Sequence, residues 1–179
     1  MATWSLDPSH GELLLHTGVT GRAARMGHRL TMAMRSWRAS VDWSGDTPTH
    51  AELTVDTDSL EILSGEGGLT PLGDTEKGVA RSNALKSLDA GKFPRIRFVS
   101  DDITQTAGGY RLNGSVEIHG VTRPQAVEVA VEDTGDALRL SAQVRLLQTD
   151  FGVKLISLFL GAMKVSDDVR VDFHATHPK

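Results

Sequence analysis

Polar and apolar residues alternate along much of this chain, most regularly in two segments near its middle. The first is Lys92–Ser100, in which Ile96 and Phe98 alternate with arginines, and the second is Tyr110–Ile118, with Gly108-Gly109 just before it. A period of two places every second side chain on the same face of a β-strand. The two segments are therefore predicted to form a hairpin with one face in water and the other against an apolar interior.

Six further segments carry a strand-like pattern, and short turns rich in Gly, Asp, Thr and Pro join most of them, as is usual between antiparallel neighbours. The longest segment, Leu30–Trp43, changes phase at Arg35-Ser36, which predicts a bulge or bend at that point. We therefore expect about eight strands in all. The six segments are Glu12–His16, Leu30–Trp43, Ala51–Asp56, Val127–Glu132, Leu138–Leu146 and Val169–His174.

One helix is predicted over residues 75–88, where Val79, Leu85 and Leu88 recur near helical spacing after the glycine-rich loop Ser64–Asp74. At 179 residues the chain suits a single domain, residues 1–179. The predicted fold is all-β, an up-and-down antiparallel barrel with one helix packed against it, because closure removes the exposed edges of an open sheet. A two-sheet sandwich is the alternative.

Several short motifs follow one another in order along nearly the whole chain. They are Trp4-Ser5-Leu6-Asp7-Pro8-Ser9-His10, Leu85-Lys86-Ser87, Lys92-Phe93-Pro94-Arg95-Ile96-Arg97-Phe98-Val99-Ser100, Gly114 with Ile118-His119-Gly120-Val121-Thr122-Arg123-Pro124, and Asp150-Phe151-Gly152-Val153. In this order and spacing the motifs resemble those of the YceI-like family.

The resemblance implies an extended, lipocalin-like barrel around an apolar tunnel for a long lipophilic molecule. The expected ligand class is a polyisoprenoid, an isoprenoid quinone or a fatty-acyl chain, and the protein would be a carrier rather than a catalyst. The sequence departs from the family pattern at residues 22–29 and in the longer loop Ser64–Asp74, which puts the identity of the ligand in question more than the fold.

The apolar faces of the predicted strands supply the candidate ligand-binding residues. From the pattern alone they could equally fill a packed barrel, and the family resemblance favours an open tunnel. A polar head group would be held at the mouth by Arg22, Arg25, His28 or Arg29. The candidates for the tunnel wall are Leu30, Met32, Met34, Ile96, Phe98, Val116, Ile118, Leu155, Leu158, Phe159, Val169, Val171 and Phe173.

Composition removes several classes of function. The chain has no cysteine, so it has neither disulfides nor thiolate chemistry, and a net charge of −4 gives no overall attraction to nucleic acid or to anionic membranes. Seven scattered histidines lack the close spacing of a metal site, so we expect no metal and no cofactor. With no secretory signal and no long apolar run, the chain is expected to be cytoplasmic and without stable membrane insertion.

Two other functions remain as alternatives. One is a filled-barrel interaction or stress-related protein that acts through its surface or as a homodimer. The other is a hydrolase or isomerase acting on the bound lipid, for which the inward positions offer no titratable residue. Asp7, Ser9 and His10 have the residue types of a hydrolase triad, but neighbours on an extended turn are not expected to converge as nucleophile, base and orienting group.

Overall fold

Twelve strands of a single antiparallel sheet and one α-helix make up the computed structural model, which describes residues 1–179. Every strand pairing is antiparallel, in line with the short connections. The strands are β1 Ala2–Leu6, β2 Gly11–Thr20, β3 His28–Met34, β4 Trp37–Ser44, β5 Thr47–Asp56, β6 Leu60–Gly67, β7 Arg95–Thr106, β8 Gly109–Ile118, β9 Val121–Asp133, β10 Ala137–Leu147, β11 Ser157–Leu158 and β12 Met163–Pro178, and the helix is α1 Asp74–Ser87.

The sheet curls on itself, with the strand order β1-β4-β5-β7-β8-β9-β10-β12-β2-β3-β6. β3 continues into β4 and β5 into β6, so one long bent hairpin supplies strands near both ends of this order. At the bend, the Arg35 amide donates to the Ser59 carbonyl at 3.1 Å and the Asp56 amide donates to the Ser36 carbonyl at 3.0 Å. The predicted all-β antiparallel barrel with one helix is confirmed, and so is the bend at Arg35-Ser36.

The number of strands is larger than the eight predicted. The bend divides Leu30–Trp43 into β3 and β4, and the short edge strands β1 and β11 carry too few residues to show a period. β6 includes Ser64–Gly67, which the glycines led us to assign to a loop. Backbone pairing with β3 holds Ser64, Gly65 and Glu66 in the sheet, so tertiary contacts override the local preference of glycine for turns.

The helix spans Asp74–Ser87 against the predicted 75–88 and lies over the bent hairpin. Arg81 fixes it there: Nε donates to the Leu60 carbonyl at 2.7 Å, and Nη2 donates to the Asp58 carbonyl at 2.6 Å. At its other end the Ser87 hydroxyl donates to the Lys154 carbonyl at 2.8 Å. The helix is thus tied to the sheet on one side and to the segment before β11 on the other. No helix in the structure is long and apolar enough to cross a membrane.

The two ends of the curled sheet are built differently. At one end, which we call the aromatic end, Trp4 stacks on His177 at 4.0 Å between ring centroids, and Trp43 lies beside Trp4 and edge-on to Tyr110. At the other, which we call the open end, the helix and the irregular segments 21–27 and 148–162 surround a cavity. The main core lies between them and contains Leu6, Leu13, Met32, Met34, Trp37, Val55, Leu60, Ile62, Leu140 and Ala175.

Candidate ligand-binding cavity

A cavity of about 390 Å³ lies between the inner face of the sheet and α1. Of the 31 residues that line it, 24 are hydrophobic. Its wall comes from strands β2, β3 and β12, from the helix, and from residues 146–163. The cavity is therefore an apolar space in the interior of the fold that opens at one end.

Alternation in β2 and β3 builds the sheet side of the wall. Leu30, Met32 and Met34 occupy every second position of β3, and all three line the cavity. Met32 pairs in register with Leu15 of β2, which also lines it. Because the pleat sends alternate residues to opposite faces, the period of two in the sequence produces a continuous apolar wall.

The helix side of the wall explains why the space is not filled. Ala80 and Ala84 are one helical turn apart and both face the cavity, together with Val79 and Leu88. Two alanines on the inner face leave a gap between the helix and the methionines of β3 that longer side chains would close. The hydrogen bonds of Arg81 and Ser87 hold the helix at this distance.

The structure brings eight of the thirteen candidate residues together around the cavity. The other five lie elsewhere: Phe98 and Val116 belong to a small cluster with the buried Phe151, Val171 and Phe173 pack on the main core, and Leu155 borders a shallow outer groove. The eight cavity residues are Leu30, Met32, Met34, Ile96, Ile118, Leu158, Phe159 and Val169.

Few polar groups face the cavity. Of the four basic residues considered for a head group, only His28 reaches the wall, and its Nε2 lies 2.7 Å from the Thr70 carbonyl oxygen. Arg29 instead approaches Glu66, at 3.6 Å. Glu76 of the helix lines the cavity and is a second titratable group there. The remaining polar side chains of the wall are Thr17, Asn83, Ser87 and Gln148.

Sequence reasoning missed the helix face and the segments around the mouth. Val79, Leu85 and Leu88 predict the helix, and the spacing of Ala80 and Ala84 could have indicated which face lies against the sheet. Met26 was missed because it follows two arginines in an irregular stretch without periodicity. Such residues are positioned by tertiary contacts, for which the local pattern gives no signal.

Apolar side chains at the mouth are exposed although they border the cavity. The exposed fraction is 40% for Met26, 45% for Leu158 and 57% for Phe159. Val79 and Leu147 also line the cavity and are exposed. The apolar surface of the interior thus continues out onto the surface at the open end.

His10 and His119 lie at turns, whereas His16 lies within β2. His119 Nδ1 is 3.2 Å from the Phe151 carbonyl oxygen, and the Asp7 amide donates to His10 Nδ1 at 3.1 Å. His16 Nδ1 lies 3.3 Å from Thr31 Oγ1. No three His, Cys, Asp or Glu side chains gather as metal ligands would.

Asp7, Ser9 and His10 lie within hydrogen-bonding distance of one another, but they are not arranged as a triad. The turn brings His10 Nδ1 to 3.1 Å from Asp7 Oδ1 and 3.4 Å from Ser9 Oγ. The Ser9 hydroxyl donates to Asp7, however, and this hydrogen bond, with that from the Ser9 amide, lowers the pKa of Asp7. A triad requires the serine to donate to the base. The arrangement therefore caps a turn between β1 and β2, away from the cavity.

Comparisons with known proteins agree with this architecture. The model of the YceI-like domain matches residues 4–177. Residues of the chain are 35% identical over 49 positions to UPF0312 protein YE1254 of Yersinia enterocolitica, a match that spans 27% of this chain and 26% of that protein.

Solved structures share the fold at low sequence identity. Burkholderia cenocepacia BcnA is 20% identical with a TM-score of 0.69, over 93% of this chain and 95% of that one. A Campylobacter jejuni YCEI protein is 14% identical with a TM-score of 0.60, over 83% and 84% of the two chains. Because the domain model covers almost every residue, this chain belongs to the YceI-like family.

Proposed function

We propose that this protein binds and carries a long lipophilic molecule in the cavity at its open end, by burial and without bond chemistry. The observation that carries the proposal is the apolar cavity of about 390 Å³ with an exposed apolar mouth. Protein interiors are normally packed as densely as organic crystals. A space of this size under a helix held by specific hydrogen bonds supports a binding function over a filled barrel.

The size of the cavity indicates how the ligand would be held. Small-molecule pockets enclose about 300–1,000 Å³, so this one suits a ligand of modest size or one end of a longer chain. Burial of about ten methylene-sized groups at roughly 0.8 kcal/mol each contributes about 8 kcal/mol before ordering costs. The remainder of an isoprenoid or acyl chain would leave through the mouth beside Phe159 and Leu158.

The shape and chemistry of the wall favour a flexible aliphatic ligand. Met26, Met32, Met34 and Met163 line the cavity, and methionine side chains adapt to ligands of irregular shape. A polar end group of the ligand would lie near His28 and Glu76, the titratable groups of the wall. His28 is already engaged with Thr70, which supports a positioning role over a role as a base.

A cavity-filling substitution tests the proposal. Ala84→Phe places a ring in the gap between the helix and β3, whereas Ser82→Phe adds the same ring to an exposed position that does not line the cavity. We expect Ala84→Phe to weaken binding of farnesol and oleic acid at least about tenfold. The ring fills space that the ligand would occupy, and the apolar burial that the ligand loses should be worth about 1.4 kcal/mol or more. Ser82→Phe should bind both as the wild type does.

The measurement is titration monitored by native mass spectrometry, beginning with the protein as purified and continuing with each lipid. A stoichiometric lipid in the purified protein, displaced in Ala84→Phe but retained in Ser82→Phe, is the expected result. An empty wild-type protein that takes up neither lipid would overturn the proposal, and so would equal binding by folded Ala84→Phe, with folding checked by circular dichroism.

A further inference from the structure

The hairpin between β11 and β12 carries an exposed apolar tip beside the cavity mouth. Ser157 pairs with Lys164 and Leu158 with Met163, and the turn between them is Phe159–Ala162. Leu160 is fully exposed, and Phe159 is 57% exposed while it also lines the cavity. Both residues have positive φ angles, 53° and 55°, which are unfavourable for bulky side chains. The tip therefore holds two large apolar side chains outside the core in a backbone conformation that they do not favour.

A second turn lies against this tip. The Ala23 amide donates to the Ala162 carbonyl at 2.9 Å, which ties residues 21–27 to the hairpin. Met26 of this turn is 40% exposed and lines the same cavity. The two turns form one apolar surface, which we call the mouth patch and define by Met26, Leu158, Phe159 and Leu160.

The two chain segments that form the mouth patch carry charges of one sign. Residues 17–29 and 153–165 contain Arg22, Arg25, Arg29, Lys154 and Lys164 and no Asp or Glu, although the whole chain has a net charge of −4. Arg29 approaches Glu66, but the other four belong to no ion pair. Lys154 and Lys164 border the same outer groove as Leu160. Four unpaired cations thus lie in the segments that form the mouth patch, and the nearest acidic residues that the contacts show, Glu66 and Glu76, belong to β6 and α1.

We propose that the mouth patch docks on the surface of an anionic lipid bilayer. Apolar side chains that enter the interface, with basic side chains at the level of the head groups, are the features that hold a peripheral protein on such a surface. A second copy of the chain fits less well, because a twofold contact through the patch would bring its unpaired cations against the same cations. Since the patch is continuous with the cavity wall, a docked protein would present the cavity mouth to the lipid.

The inference goes beyond ligand binding, because docking needs only the surface. It is tested by co-sedimentation with vesicles of phosphatidylcholine alone and with about one-third phosphatidylglycerol. The wild type should bind the anionic vesicles, and binding should weaken as salt rises. The double variant Phe159→Ser/Leu160→Ser should partition onto the anionic vesicles at least about tenfold more weakly, because it lacks two apolar side chains that would enter the bilayer interface.

Charge variants provide a matched comparison. Lys154→Glu/Lys164→Glu should bind anionic vesicles at least about tenfold more weakly, because each basic side chain near such a surface raises the binding affinity about fivefold. Arg38→Glu/Arg139→Glu changes the net charge by the same amount at exposed positions away from the mouth patch and should retain most of the binding. The cavity-filled Ala84→Phe should dock like the wild type, which separates docking from ligand binding.

Three outcomes would overturn the inference: absence of wild-type binding to the anionic vesicles, equal binding by the Phe159→Ser/Leu160→Ser variant, or equal loss in the two charge variants. Light scattering coupled to size exclusion provides the last check. A wild-type dimer that becomes a monomer in Phe159→Ser/Leu160→Ser would assign the patch to a second copy of the chain instead of a bilayer.

Discussion

The aromatic end and the open end of this barrel use large apolar side chains for opposite purposes. At the aromatic end the rings of Trp4, Trp43 and His177 pack on one another and close the space between the strands. At the open end Phe159 lines a cavity and at the same time faces solvent. One sheet thus provides an end that is closed by packed rings and an end that encloses a cavity.

The connections between the strands account for this difference. Tight hairpins at the aromatic end, with positive φ at Gly45 and Gly135, keep neighbouring strands paired to their tips. At the open end, the helix and the longer segments 21–27 and 148–162 connect most of the strands, beside one tight turn at His119-Gly120. Longer connections leave the strand ends farther apart, so the side chains there line a cavity in place of meeting across it.

The largest effect is expected when the aromatic end is broken. Trp43→Ala removes a ring that contacts Trp4 and Tyr110, and it should lower the free energy of unfolding by about 2–3 kcal/mol, somewhat less than for a fully buried tryptophan. Phe159→Ala is the matched change at the open end and should cost less than about 0.5 kcal/mol, because the ring is mostly exposed. Denaturant unfolding measures both.

Lipid affinity separates the same two variants in a second way. Trp43→Ala should bind farnesol with unchanged affinity, since Trp43 does not line the cavity. Equal destabilisation by the two substitutions would contradict the division of the molecule into a closed and an open end.

A smaller effect is expected when the helix is released from the open end. Arg81→Met removes two hydrogen bonds from a guanidinium to backbone carbonyls and should cost about 1–2 kcal/mol. Amides of α1 should exchange faster with solvent deuterium, while those of β10 and β12 near the aromatic end keep their protection. Lys86→Met, at an exposed helix position, is the control. Faster exchange at both ends alike would mean that the barrel opens as one unit.

The two ends also show which features of the structure can be predicted from the sequence and which cannot. Strict alternation is a local signal, so the strands around Ile96, Phe98 and Val116 and the bend at Arg35-Ser36 could be predicted. Whether an inward side chain meets a partner or faces a cavity depends on the distance between strands and helix, which no local pattern contains. Phe98 and Phe159 were for this reason assigned the same role, although one packs in a cluster and the other lines the cavity.

The smallest effect concerns the protonation of the aromatic end. Burial among the rings lowers the pKa of His177, since the charged imidazolium loses hydration there. The unfolded chain, with a histidine pKa of about 6.5, then binds more protons than the folded one, so stability falls as the pH drops through this value toward the lowered pKa. His177 is partly exposed, and attraction of the imidazolium to the face of Trp4 opposes this loss of stability. The free energy of unfolding should therefore fall by less than about 1 kcal/mol between pH 7.5 and 5.

The variant His177→Phe keeps a ring on Trp4 but removes the titrating group. Relative to this variant, the wild type should lose stability on acidification, as measured by denaturant unfolding at both pH values. If the difference in the free energy of unfolding between the wild type and His177→Phe stayed constant, or shifted in favour of the wild type as the pH fell, the aromatic end would tolerate a charged histidine.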